Sequence, residues 1–346
     1  MSLSMPYGPV TNALTHFALY GLAAIIETET GQSARLYWTD DAQPKARIET
    51  DIGPDEIAAA VHRHATKGAS PHSWLAVRVE HEGRDTAAFS PRIKEPQTPS
   101  AWQKLQNARH TGLDAVLAAD ADELDLRMIG ALGEPAYWPT DRNADAGATR
   151  WEMKTRNRGE EFVGNRLALL AHAVADRTTE EILSGLTGQT VNDEVGKNKP
   201  ESRTATGLAR PGPVDNALAW CALWGISQCP VVHHNGAQSA TAGTFVLPHR
   251  AYPSLVFLPV PTHPVTLSRL RTILASRHLP LAALADTTTD PLQIIDSDAA
   301  RKWLTERSVR ALMCFDVDVS DNPTAPERHV LDGRVITLTE CATPWT

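Results

Sequence analysis

The sequence predicts an α+β fold made of two duplicated helix-strand-strand-helix modules, with mixed or antiparallel sheets and a helical segment between the modules. A fifteen-residue segment that begins at Gly8, GPVTNALTHFALYGL, recurs 204 positions later at Gly212 as GPVDNALAWCALWGI, with nine identical positions. Similar helical and strand-like patterns follow both copies. The 346 residues also exceed the usual size of one hydrophobic core, so about two units of roughly 150 residues are expected.

Each copy is predicted to be a helix with one buried face. Pro9 is expected in the first turn of the first helix, and Pro230 is expected to end the second. Gly21 and Gly225 fall inside these helices, where glycine costs about 1 kcal/mol relative to alanine, so we expect another backbone to pass close to each. The apolar residues at helical spacing are Leu14, Phe17, Ala18, Leu22, Ile25 and Ile26, and in the second copy Leu218, Cys221, Ala222, Leu223, Ile226 and Cys229.

The remaining elements follow in the same order in both halves. A Gln-Ser-Ala tripeptide comes after each helix, at 32–34 and 238–240, and introduces two strands and a closing helix. The predicted ranges are strands 34–38 and 45–48 with helix 54–65, and strands 244–247 and 254–260 with helix 265–274. A further hairpin is predicted over 74–81 and 85–89, and strand 309–319 is predicted to precede a hairpin that turns at Asp332-Gly333.

These patterns divide the chain into four segments. Residues 1–99 are predicted to form an N-terminal α+β module, and residues 100–188 a mainly helical segment. Residues 189–211 are polar and rich in glycine and proline, which is typical of a linker or long loop. Residues 212–346 are predicted to form a C-terminal α+β module that repeats the first.

Composition narrows the class of protein. Apolar residues make up 42% of the chain, as in ordinary globular proteins, and the net charge of −8 argues against a protein that coats nucleic acid with its whole surface. The four cysteines all lie in the second half without a CxxC pair, which favours reduced thiols. There is no leader-like start and no apolar run near the roughly 20 residues of a membrane span, so we expect a cytoplasmic protein without a membrane partner.

No standard catalytic signature is present, so we predict that the protein is not an enzyme and has no catalytic residue, cofactor or metal site. Asp316 and Asp318 alternate on a predicted strand and could hold a hard cation, but a solvated strand face is favoured. The pairs His233-His234 and His62 with His64 lack matching ligands at a diagnostic spacing. Cys221 is interpreted as a small buried hydrophobe.

Clustered cations provide the candidate nucleic-acid site, because phosphate binding favours grouped Arg and Lys, and Asn or Trp can add contacts to bases. One group surrounds a tryptophan after residue 149, and a second lies in the predicted linker, where it also includes Arg210. For a protein of unknown function, the favoured interpretation of the first group is a surface segment paired with Glu152, Glu160 and Glu161. The candidate nucleic-acid-binding residues are Arg150, Lys154, Arg156, Asn157, Arg158, Arg166, Lys197, Lys199 and Arg203.

The repeated helix carries a resemblance to a known family. Residues 12–22, NALTHFALYGL, followed by the strand ARLYW at 34–38, resemble the opening of several CRISPR-associated proteins, which begin with an Asn-containing helix and a short strand carrying Trp. The most similar family is the large subunit of type I Cascade complexes, in the compact version of type I-G (formerly I-U) systems. The likeness covers about 30 residues in each copy.

This resemblance implies a non-catalytic subunit of a crRNA-guided DNA surveillance complex. Such a subunit contacts the crRNA end, the target double-stranded DNA beside the protospacer and other Cascade subunits, and helps to recruit a helicase-nuclease on target binding. Two alternatives stay open at this point. One is a cytosolic enzyme with a small-molecule cleft between the modules, into which Asn12 and Asn216 would point. The other is a scaffold that binds proteins.

Overall fold

The structure is a computed structural model of the chain. It describes residues 1–346 except for 82, 92–97, 120–121, 134–146, 152–161, 203–205, 233–239, 246–253, 285–290, 322–326 and 339–346. Among the described residues, no helix has the length and apolar character needed to cross a membrane.

The first repeat copy forms a long helix that lies on a hairpin. The Asn12 side chain accepts a hydrogen bond from the Leu14 amide (2.9 Å) and starts the helix, and Gly31, in the left-handed region at φ 67°, ends it. Pro9 lies before the helix and not in its first turn, because the cap falls at Asn12; it instead bridges to Lys45. The elements are β1 (Ser2–Leu3), α1 (Ala13–Thr30), β2 (Arg35–Trp38), β3 (Ala46–Glu49) and α2 (Pro54–Ala69), with β3 paired to both β1 and β2.

Helices occupy most of the described residues between the two copies. A short hairpin precedes them, and Gly83 at its turn has a φ of 73°. A π-helical turn over Val163–Leu167 leads into the helix that carries the middle of the chain toward the second copy. The elements are β4 (Arg78–His81), β5 (Arg84–Ala87), α3 (Pro99–Ala118), α4 (Glu123–Leu132), α5 (Ala168–Ala175) and α6 (Thr179–Leu186).

The second copy also forms a helix, as predicted, but a shorter one. α7 (Asn216–Trp224) narrows into a 3₁₀ turn over Gly225–Gln228 shortly before Pro230. Whereas α1 contacts both strands of its hairpin, α7 packs mainly on α1, α5 and α6. The two copies therefore share secondary structure but occupy different surroundings.

The C-terminal part adds two antiparallel sheets. The elements are β6 (Val231–Val232), β7 (Ala240–Thr241), β8 (Thr244–Phe245), β9 (Leu255–Pro261), α8 (Leu267–Leu274), α9 (His278–Ala283), α10 (Pro291–Thr305), β10 (Val309–Val319), β11 (Arg328–Val330) and β12 (Arg334–Thr337). The larger sheet has the order β11-β10-β9-β8, with β12 also paired to β10, and the smaller joins β6 to β7. All strand pairs among the described residues are antiparallel, which agrees with the predicted α+β class.

The prediction of a hairpin turn at Asp332-Gly333 was wrong. Both β11 and β12 pair with β10, and the register slips by one residue between them, so Asp332-Gly333 sits in a bulge of one returning strand. The hairpin closes earlier, where the Ser320 amide donates to the Glu327 carbonyl (2.8 Å). Gly333 is needed at the bulge because a side chain there would collide with the Phe315 ring.

The two repeat helices cross at their glycines, and this confirms the expectation of close backbone contact. A Cβ on Gly21 would overlap the carbonyl oxygen of Cys221, and a Cβ on Gly225 would overlap that of Phe17. Phe17 and Cys221 are equivalent positions in the repeat, as are Gly21 and Gly225. The contact is therefore reciprocal, as in an interface between two copies related by a two-fold axis.

Backbone contacts also join the two ends of the chain. Leu36 of β2 exchanges two hydrogen bonds with Val265, at 2.9 and 3.0 Å, and the Gly333 amide donates to the Thr11 carbonyl (2.8 Å). Buried residues from both halves form one continuous hydrophobic core. The faces along which the two halves meet are therefore largely buried.

Candidate nucleic-acid interface

The predicted cations are not all at the surface. Arg150 is only 1% exposed and Arg166 only 8%, so both guanidinium groups lie in the interior. This burial counts against their direct contact with phosphate. Lys197 and Lys199 are exposed in the loop between α6 and α7. The remaining predicted residues, Lys154, Arg156, Asn157, Arg158 and Arg203, lie outside the described residues.

The loop that carries the two lysines, residues 189–202, has no helix or strand but has an ordered set of turns. Lys197 and Asn198 both have left-handed backbones, with φ of 58° and 52°, which is uncommon for residues other than glycine. Their amides donate to the carbonyls of Glu194 (3.0 Å) and Asp193 (2.8 Å). The backbone that carries the two lysines is therefore fixed by hydrogen bonds within the loop.

The buried carboxylate of Asp193 forms several hydrogen bonds that hold this lysine loop in place. Asp193 is 2% exposed and accepts hydrogen bonds from the Gly196 amide (2.8 Å), the Ser202 hydroxyl (2.5 Å) and the Asn216 amide group (3.1 Å). Asn216 also accepts from the Val195 amide (3.0 Å). Because Asn216 is the first residue of α7, the second repeat helix fixes the loop directly.

An ion pair anchors the other side of the loop. The buried guanidinium of Arg177 donates to Asp215 (2.9 Å), Glu194 (2.9 Å) and the Asn192 carbonyl (2.6 Å). Burial alone would lower the pKa of Arg177, but the bonds to Glu194 and Asp215 more than compensate and raise it. The group thus stays charged and is fully hydrogen-bonded on the side facing the loop.

Two exposed lysines lie on this ordered loop, which also carries Asp193, Glu194 and Glu201. Within the part of the chain that the structure describes, neither Lys197 nor Lys199 forms an ion pair with a carboxylate. Arg210, from the same predicted cluster, is instead paired with Asp332 at 3.0 Å. As exposed side chains, the two lysines can offer their ammonium groups to an external anion.

The residues that carry the family resemblance have structural roles. Asn12 caps α1, and residues 13–26 of that helix are all buried. Trp38 is fully buried, with its ring 4.6 Å from that of His16. Asn12 and Asn216 both use their side chains in hydrogen bonds within the fold, at the cap of α1 and at the lysine loop.

Among the described residues, the other candidates from the sequence do not assemble a reactive site, and the predicted pair His233-His234 lies outside those residues. Asp316 and Asp318 are exposed on β10. The His62 ring bonds to the Ala175 carbonyl (3.1 Å), while His64 pairs with Trp220, so the two rings have separate partners. Within the described residues, no group of three or more His, Cys, Asp or Glu could hold a metal ion. Burial raises the pKa of the Cys221 thiol, in keeping with a hydrophobic role.

Sequence reasoning missed the Arg177 and Asp193 networks, although one signal was available. The two copies differ at Thr11 and Asp215, and at His16 and Trp220. In each pair the second-copy residue makes a long-range contact, with Arg177 or with His64. Two of the positions at which the copies differ therefore indicated long-range contacts, whereas the contact of Asn216 with Asp193 involves a residue that both copies share.

Comparison with known protein families and with curated protein sequences gave no match.

Proposed function

We propose that this protein is a non-catalytic subunit of a crRNA-guided DNA surveillance complex of the Cascade type. In this role it contacts the crRNA end and the target double-stranded DNA beside the protospacer, together with the other Cascade subunits. A helicase-nuclease is recruited when the target is bound. The proposal includes a cytoplasmic location, since crRNA and target DNA meet there in a bacterial cell.

The observation that carries the proposal is the lysine loop. Non-specific contact with a nucleic-acid backbone needs exposed cations without internal partners, and Lys197 and Lys199 meet that description among the described residues. The loop is anchored by two buried networks, so less conformational entropy is lost when a phosphate binds.

Two further points support the proposal. The resemblance to Cascade large subunits lies on α1 and β2, which are core elements, so the likeness concerns the scaffold of the protein. The net charge of −8 is compatible with a local contact, because the other subunits of such a complex can supply most of the positive charge.

The test is the salt dependence of target-DNA affinity in the assembled complex. Each phosphate contact releases condensed counterions, so the Lys197→Ala, Lys199→Ala double variant should lower the slope of log affinity against log salt by about 2. The matched control is Lys45→Ala with Lys302→Ala, which removes two exposed lysines from the turn before β3 and from α10. An unchanged slope in the loop variant, with the complex intact, refutes contact by this loop.

Assembly itself is tested separately. Co-expression with the crRNA and the other subunits of a type I-G complex should give a complex that contains this chain in defined stoichiometry. If the chain stays apart from a complex that forms without it, the proposed function is wrong, whatever the lysine variants do in isolation.

A further inference from the structure

One long segment of the chain has no acidic residue. Residues 216–285 contain no Asp or Glu, although the chain has 41 of them in 346 residues. This acid-free segment contains four arginines and no lysine, so it carries a charge of +4 and the other residues together carry −12. So strong an asymmetry of charge within one chain indicates that this part of it meets a negatively charged partner.

Three of the four arginines lie on α8 or in the turn between α8 and α9, and the fourth, Arg250, lies outside the described residues. Arg269 on α8 and Arg277 in the turn are exposed. Arg271 is half-buried and donates to the side-chain oxygen of Gln228 (2.9 Å), which ties it to the fold. Arg269 and Arg277 are therefore the described cations that the acid-free segment can offer to a partner.

A further arginine reaches this surface from the turn that follows α10. The guanidinium carbon of Arg307 lies 3.7 Å from the centre of the Trp303 ring, and the His278 ring packs on the same tryptophan with centroids 4.6 Å apart. Because His278 directly follows Arg277, the tryptophan brings Arg307 and Arg277 to one place. In agreement, burial and then the charges of Arg277 and Arg307 lower the pKa of His278. We call Arg269, Arg277 and Arg307 the arginine patch.

The charges of the arginine patch are not neutralised within the described part of the chain. No arginine of the patch forms an ion pair there, and this includes Arg307 and its exposed neighbour Glu306. Asp296 and Asp298, near the start of α10, precede Arg307 by nine residues or more, which is about 14 Å along a helix. Arg307 donates one N–H to the Trp303 carbonyl (3.0 Å), which holds the side chain and leaves other N–H groups for a ligand.

We propose that the arginine patch binds the phosphate backbone of a nucleic acid. Phosphates follow one another closely along a strand, so every carboxylate on a binding surface weakens the contact, and a long segment without Asp or Glu meets that requirement. A protein surface mixes both signs of charge, and complementarity to it needs both signs in return. The cations of the segment are all arginines, whose guanidinium groups bind phosphate through two parallel hydrogen bonds.

The arginine patch is separate from the lysine loop. α8 packs against the 3₁₀ turn at the end of α7, whereas the lysine loop is held by Asn216 at the start of α7. Asn216 and Gln228 mark these two ends and are about 20 Å apart by helical rise. The inference concerns the chain by itself and does not depend on the Cascade role, which the assembly experiment tests.

The experiment measures binding of the purified chain to labelled oligothymidylate of about twenty nucleotides, and to a duplex of the same length, by fluorescence anisotropy. We expect a dissociation constant of about 10 µM or less at about 50 mM salt for at least one probe. The patch variant, Arg269→Gln with Arg277→Gln, removes two exposed cations and should weaken binding at least about fivefold. It should also lower the slope of log affinity against log salt by about 1.4 for the single strand, or about 1.8 for the duplex.

Two comparisons locate the binding. Arg35→Gln with Arg63→Gln is the matched control, because it removes the same charge from two arginines that already pair with Glu49 and Glu56, and it should change the affinity by less than about twofold. Arg307→Lys keeps the charge beside Trp303 and should bind within about threefold of wild type, whereas Arg307→Gln should bind more weakly than Arg307→Lys. Melting temperatures confirm that each variant is folded.

Three results overturn the proposal. The first is no binding of either nucleic-acid probe by the wild-type chain at about 50 mM salt. The second is equal binding by the patch variant and the control. The third comes from labelled polyglutamate of similar length: if the patch variant loses affinity for polyglutamate and keeps its affinity for the nucleic acids, the partner is an acidic protein.

Discussion

The two copies of the repeated segment begin and end differently. α1 runs for 18 residues and stops at a left-handed glycine, whereas α7 runs for 9 residues and tightens into a 3₁₀ turn. Asn12 caps α1, but in the second copy Asp215 takes over the cap by accepting from the Ala217 amide (2.9 Å). Asn216, equivalent to Asn12, is thereby released to hold the lysine loop.

The asparagine that both copies share caps the helix in the first copy and bonds to the lysine loop in the second. At the position before the asparagine, the first copy has Thr11 and the second has Asp215. An aspartate caps a helix as well as an asparagine does and also carries a charge for Arg177. In the second copy, the aspartate next to the shared asparagine takes the cap, and the asparagine makes a long-range contact instead.

The largest effect is expected from Asp215→Ala. This change removes the cap of α7 and leaves Arg177, whose side chain is 4% exposed, with one carboxylate fewer. Breaking a buried ion pair from one side costs about 3–5 kcal/mol of unfolding free energy. Urea denaturation measures it. A loss below about 1 kcal/mol would mean that the pair adds little and that the two copies are equivalent in stability.

The next effect tests the crossing of the two helices. Gly21→Leu and Gly225→Leu should each destabilise the fold by about 3 kcal/mol, the upper end of overpacking costs, because backbone atoms cannot move aside as a side chain can. Gly130→Leu in α4 is the control, since nothing lies within 4 Å of a Cβ there. Similar melting temperatures for all three variants would show that the helices do not depend on the close crossing.

A smaller effect concerns the histidine that the first copy buries in α1. Burial lowers the pKa of His16 to about 4, against about 6.5 in an unfolded chain. The native state thus binds no proton where the unfolded state does, and the stability present above pH 6.5 is lost as the pH falls. From pH 7 to pH 5 this costs about 2 kcal/mol for His16.

The His16→Phe variant isolates that contribution. Its unfolding free energy should fall by about 2 kcal/mol less than that of wild type over the same pH interval. Ile25→Val, at another buried position of α1 that does not titrate, serves as the control. Equal pH dependence in wild type and His16→Phe would show that His16 can take up a proton in the folded chain.

The smallest effect sharpens the comparison of the caps. Asn12→Ala should cost about 1 kcal/mol, the usual loss on removing a helix cap. In the second copy the aspartate before the asparagine caps the helix. Thr11→Asp added to Asn12→Ala should therefore restore most of the lost stability. Thermal denaturation of the three proteins decides this, and an additive loss in the double variant would mean that the first copy cannot adopt the cap of the second.

Much of the fold was predictable because its signals are local. The hairpin of β2 and β3 and the helices α1 and α2 follow from apolar spacing within a few residues, and the structure places β2, β3 and α2 within four residues of their predicted ends. The role of the glycines at the helix crossing was also predictable, because glycine inside a helix is unfavourable and its presence there indicates a close contact. Of the candidate site, only the two exposed lysines carry over from sequence into the described interface.

The sequence by itself determined the α+β class, the order of the main elements and the two glycines at which the backbones of α1 and α7 come into contact. Only the tertiary structure decided that Asp332-Gly333 is a bulge, that Arg150 is buried, and that Asn216 holds a loop. Periodicity and capping act over one or two helical turns, so neighbouring residues suffice to reveal them. Which strand pairs with which, how deeply a guanidinium group is buried and which group an amide bonds to all depend on residues that are distant in the chain. Those residues come together only when the core forms.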